Sequence, residues 1–187
     1  MKNITYAKQD FAKNTENSSA RSEKIVNMVI TAMFIALTFV VTGYINIRIP
    51  FLAANGGLIH LGNIPLFVAA ALYGRKTGAM AGAFGMALFD VTSGWVSWAP
   101  FTFVICGLIG YVFGLITEKK KTKGALVLAV FAAAVVKVVG YYIAEIILYS
   151  NFVAPLASIP GNLVQIGVAG IVVVPVIMVL NKVKVKQ

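Results

Sequence analysis

Residues Glu118–Tyr149 read EKKKTKGALVLAVFAAAVVKVVGYYIAEIILY. Four lysines lead into an apolar run, Ala125–Tyr149, long enough to cross a hydrocarbon core of roughly 30 Å. A basic flank beside a membrane-length segment is the pattern of a span whose flank stays in the cytoplasm. Inside the run, Lys137, Tyr141 and Glu145 recur at every fourth position and form one drifting helical stripe. A direct Lys137–Glu145 pair would have to bridge about 12 Å of helix rise. Each charge therefore needs a partner on another helix, a ligand or water. For Lys137 a backbone carbonyl or Asp90 would serve; Glu145, nearer the end, has solvent as an alternative.

Five more apolar segments lie around this one: Ile25–Ile45, Leu58–Tyr73, Gly78–Val91, Phe101–Thr117 and Asn162–Asn181. The second and third in chain order are short for a span, so they are either tilted partners of their neighbours or end in a cavity. The Lys and Arg residues alternate with the segments. The N-terminal tail holds five, the Arg75-Lys76 turn two, the Glu118–Gly124 loop four and the C-terminal tail three. The loops on the opposite side hold Arg48 alone, and Lys137 lies within a segment. The reading is an all-α integral membrane protein with six transmembrane helices and cytoplasmic N- and C-termini. It divides into a basic tail (1–24), a membrane domain (25–181) and a short basic tail (182–187).

Composition agrees with a multi-pass protein of the cell membrane. Apolar types make up 59% of the 187 residues and charged types 12%, against roughly 45–50% and about 25% in soluble domains. Mean hydropathy is +0.88. The net charge of +10 follows the membrane topology, so no nucleic-acid partner is expected. One cysteine (Cys106) and one histidine (His60) exclude an intrachain disulfide and the common metal centres. No cofactor is expected. No signal peptide is read in the polar first 24 residues.

The loops of the less basic side are apolar and rich in turn residues. Residues 49–57 read IPFLAANGG, residues 94–100 read GWVSWAP, and residues 151–161 carry Pro155 and Pro160. They either fold over a pocket or place Trp95 and Trp98 at headgroup level. Polar residues gather at the same level. His60 and Asn63 are three apart at the start of the second segment, Asp90 ends the third, and Tyr142 and Glu145 end the fifth. Asn162 and Gln165, three apart, open the sixth. Such amides, charges and flat aromatics suit a small heteroaromatic ligand. Capping and helix–helix hydrogen bonds are the structural alternatives for the amides. Small residues recur at Gly78-x-x-x-Gly82 and Ala32-x-x-x-Ala36, spacings that let helices approach closely. No phosphate-binding loop and no nucleophile–base motif is present, so the chain is not read as an enzyme.

The runs His60–Pro65, Leu72–Gly78 and Asp90-x-x-Ser93-Gly94-Trp95-x-x-Trp98-Ala99-Pro100-Phe101-Thr102 resemble the S components of energy-coupling factor (ECF) transporters. The likeness is strongest to those for riboflavin, hydroxymethylpyrimidine or pyridoxine. It implies a bacterial plasma-membrane subunit that binds a vitamin near the outer face. It also implies a membrane T component and two cytoplasmic ATPase subunits as partners, which would carry out ATP hydrolysis. Ala32 and Ala36 match the family's T-component contact. His60, Asn63, Asp90, Trp95, Trp98, Tyr142, Glu145, Asn162 and Gln165 fall in or near the places that line the family's pocket. Where riboflavin binders carry an Asp-Phe-Ser-Asp-like run, this chain has His60-Leu61-Gly62-Asn63. That departure disfavours riboflavin and favours a smaller ring, pyridoxine or hydroxymethylpyrimidine; riboflavin and pantothenate are the alternative substrates. A stand-alone proton-coupled transporter using Lys137, Glu145 and Asp90 is the rival reading.

Overall fold

The computed structural model describes residues 2–48 and 58–184. The loop read as a candidate lid, 49–57, lies outside them. Six α-helices follow in order: α1 (Lys2–Tyr44), α2 (Asn63–Tyr73), α3 (Arg75–Thr92), α4 (Ala99–Thr117), α5 (Lys123–Tyr149) and α6 (Ile159–Lys184). Four stretches are long and apolar enough to cross a membrane: Ser18–Tyr44, Ala99–Thr117, Lys123–Tyr149 and Ala154–Lys182. The polar N-terminal segment continues α1 as helix back to Lys2.

One boundary differs from the sequence expectation. The second segment does not start as helix at Leu58. Residues Leu58–His60 form a strand, β2, paired antiparallel with β1 (Asn46–Arg48), with Ile47 opposite Ile59 and Asn46 opposite His60. The Leu61 amide donates to the Ile45 carbonyl at 3.1 Å and extends the pairing. Helix starts only after Gly62, and Pro65 falls in its first turn, where the missing N–H costs nothing. The apolar run hid a strand because both structures bury apolar residues and the run was too short for periodicity to separate them.

The shortness of α2 is explained by its burial. Leu66, Phe67, Ala69 and Ala70 are fully buried, and Phe67 stacks on Phe113 of α4 with ring centres 4.2 Å apart. Between α3 and α4 the backbones nearly touch. A Cβ at Gly110 would run into the Gly78 carbonyl, and one at Gly82 into the Cys106 carbonyl. In a bilayer, apolar surface alone does not hold helices together, so such close packing supplies the attraction. The outer faces of α4, α5 and α6 present Val104, Leu128, Phe131 and Ile171, as lipid-facing helices do.

The two ends of the bundle differ. At one end, Arg75 donates its backbone N–H to Glu118 Oε1 at 2.9 Å and sets its side chain 3.7 Å from Glu118 Oε2. Asn181 donates to the Lys121 carbonyl at 3.2 Å, which ties α6 to the same lysine-rich loop. Thr122 caps α5 by accepting from the Ala125 amide. The opposite end carries the hairpin, the α3–α4 loop and a 3-10 helix, Ala154–Ser158, that leads into α6.

Candidate functional site

That end encloses a cavity of about 70 Å³. Its walls come from the hairpin, from α3 to α6 and from their connections. Strand β2 gives Leu58 and His60, the end of α3 gives Asp90, and the α3–α4 loop gives Trp95 and Trp98. Thr102 comes from the first turns of α4, Lys137 and Tyr141 from α5, Ser158 from the 3-10 helix, and Asn162 and Gln165 from α6.

The polar groups are unequally satisfied. Gln165 donates its amide to the Leu58 carbonyl at 3.1 Å, fixing the hairpin to α6, while its Oε1 is buried without a partner. Asp90 Oδ2 is likewise buried without one. Two acceptors thus lack donors beside an open space, a state that costs about 1–3 kcal/mol for each group. Lys137 is 1% exposed and lies 5.1 Å from the Tyr141 ring centre, within cation–π range. Among the described residues no carboxylate comes within 4.0 Å of its ammonium; the expected direct pair with Asp90 does not form. The Tyr141 hydroxyl sits 3.3 Å from Thr102 Oγ1 and 3.5 Å from Cys106 Sγ.

His60 stands in the hairpin, outside the spans. Burial, and then the positive charge of Lys137, pushes its pKa down to about 3. The neutral ring accepts from the Gly62 amide through Nδ1 at 3.3 Å, so Nε2 carries the proton and acts as a donor. Trp98 forms an aromatic corner with Tyr141 and Tyr149, at centroid distances of 6.2 and 6.0 Å.

Of the residues proposed from sequence, His60, Asp90, Trp95, Trp98, Asn162 and Gln165 converge on this cavity. The other three do not line it. Asn63 is fully buried in the first turn of α2, with both amide atoms unpartnered. Tyr142 donates to the Phe152 carbonyl at 2.9 Å and pins the α5–α6 connection. Glu145 is fully buried rather than solvated; it accepts from Ser158 at 2.8 Å and so orients a residue of the wall. Ala32 and Ala36 lie exposed on the outer face of α1.

Thr102, Tyr141 and Ser158 are not among the binding residues expected from sequence, and Lys137 enters there as a costly charge and as part of the proton relay of the rival reading. Two signals were available. Thr102 follows Trp98 by one helical turn, and Tyr141 follows Lys137 by one. Ser158 carried none, since only the fold brings it beside Glu145.

A family model for "ECF-type riboflavin transporter, S component" matches residues 22–182. An uncharacterised protein of Pyrococcus woesei is 35% identical over 127 residues, 68% of this chain and 83% of that protein. The thiamine precursor transporter HmpT of Lactococcus lactis subsp. cremoris (strain MG1363) is 28% identical over 145 residues, 78% of this chain and 81% of HmpT. Solved structures are similar in fold. FolT bound with folic acid superposes with TM-score 0.64 at 17% identity, covering 83% of this chain and 92% of FolT. The S component for biotin of an ECF-type transporter gives 0.63 at 19% identity, covering 89% and 94%.

Proposed function

The chain belongs to the ECF-type S-component family, membrane transporter subunits rather than enzymes, and from that premise we propose that it binds a single-ring vitamin precursor of the hydroxymethylpyrimidine type. Pyridoxine is the second candidate. The observation that carries the reading is the pair of buried, unpartnered acceptors, Asp90 Oδ2 and Gln165 Oε1, on the wall of the cavity. A ligand with an amino group and a hydroxyl offers donors to both. His60 and Lys137 offer donors to ring nitrogens in return, and Trp95 and Trp98 offer flat faces.

Size supports the smaller ring. About 70 Å³ of free space takes roughly five water molecules, the bulk of one substituted six-membered ring. HmpT, by its name a transporter of a thiamine precursor, supports the same class.

The cavity sits at the end opposite the lysine-rich loop, which by the positive-inside rule is the outer face. Delivery to the cytoplasm then falls to partners: a membrane T component and two ATPase subunits. Ala32 and Ala36 form the small-residue face of α1 that a T component would approach. Ala32→Trp is expected to abolish uptake in cells carrying the full transporter while ligand affinity stays unchanged. Uptake at the normal rate would refute the coupling role of this face. Proteoliposomes holding this chain alone are expected to bind ligand without accumulating it. Accumulation driven by a proton gradient would favour the stand-alone transporter instead.

A further inference from the structure

A second opening, lined by different residues from the first cavity, lies between α5 and α6. It is a cleft of about 340 Å³ walled by Val127 and Val130 on α5 and by Gly167, Gly170, Ile171 and Pro175 on α6. The sequence of α6 makes it. A Cβ on Gly167 would meet nothing within 4 Å, so that position leaves the cleft open, while Gly170 lets Val130 of α5 pack against the α6 backbone. Pro175 lacks the N–H that would bond the Ile171 carbonyl, which loosens the helix at that level. Ile171, 76% exposed, marks the side open to lipid.

The cleft points towards charge. Val127 is one turn from Lys123, and Pro175 is two turns, about 10 Å, from Lys182. The hydrogen bond from Asn181 to the Lys121 carbonyl holds the end of α6 against the same loop, so the chain positions of Lys121, Lys123 and Lys182 come to the same end of the cleft. Glu118, the acid of that loop, is engaged by Arg75. We propose that this cleft binds an anionic phospholipid, one acyl chain lying against Gly167 and Val130 and the phosphate held by the three lysines. The charge of that end selects the headgroup, and the missing side chain at Gly167 admits the tail.

The test is native mass spectrometry of the purified full chain, equilibrated with equal amounts of phosphatidylglycerol and phosphatidylcholine of matched chain length. Retention of phosphatidylglycerol is expected to exceed that of phosphatidylcholine by at least about tenfold. Replacing Lys121, Lys123 and Lys182 by Gln is expected to erase the preference, and Gly167→Leu to reduce retention of both lipids. As a check independent of the filled cleft, Val127→Trp fluorescence is expected to be quenched by phosphatidylglycerol brominated on the acyl chain. Equal retention of the two lipids overturns the proposal. So does a preference that survives the lysine changes, or retention untouched by Gly167→Leu, which would leave the cleft to a helix of a partner protein.

Discussion

At the scale of single residues the proposed binding rests on Asp90 and Gln165. Each is nearly buried and each has one acceptor with no donor. Asp90→Asn replaces part of that demand with an amide that itself donates. Affinity for an amino-bearing ligand is then expected to fall by roughly ten- to hundredfold, the equivalent of one buried hydrogen bond to a charged group. Isothermal titration of the purified protein measures it. His60 gives a second prediction. It is the sole histidine, so nitrogen NMR of labelled protein reads it without ambiguity. The ring is expected to stay neutral, with the proton on Nε2, from pH 8 down to below pH 5, since its pKa is lowered to about 3. The unfolded chain takes up that proton near pH 6.5 while the folded one does not. The contribution of His60 to stability is therefore complete above about pH 6.5 and is lost as pH falls from there towards 3. Titration near pH 6.5 in the folded protein would contradict this environment.

Among the elements, the contact of α3 with α4 is the least tolerant of change. Gly78 and Gly110 bring two backbones together, and the atom that a new Cβ would strike is a carbonyl that has nowhere to move. Gly110→Val is expected to destabilise the bundle by about 1–3 kcal/mol or more, seen as a lower melting temperature in detergent. Gly124→Ala, where a Cβ meets nothing, is expected to leave it unchanged or raise it slightly. The small-residue pattern of α3 was legible in the sequence because lipid-buried helices announce close approach through residue size alone. The hairpin was not. Leu58–His60 is three residues long, lies in the mostly apolar run Leu58–Leu61 ahead of Gly62, and has its strand partner across a loop. Nothing local distinguishes it from the first turn of a helix. His60 lines the cavity, while Asn63 lies in the interior.

For the whole molecule, charge alternation and segment length made six helices legible, and all six are present. The wall of the cavity was only partly so. Residues at the ends of segments, such as Asp90, Asn162 and Gln165, were found because polarity is conspicuous there. Ser158 looks ordinary in sequence and acquires its place only when six separate elements and the α3–α4 loop meet. On the proposed reading this meeting point holds one small heteroaromatic ring. The direct test uses protein unfolded and refolded to strip any retained ligand, with Trp95 and Trp98, the chain's two tryptophans, as reporters. Hydroxymethylpyrimidine, pyridoxine, thiamine, riboflavin and pantothenate are titrated in turn. Saturable quenching by hydroxymethylpyrimidine, or in second place by pyridoxine, at nanomolar to micromolar concentration is the predicted result. Tight binding of riboflavin with no response to either single-ring compound would contradict it.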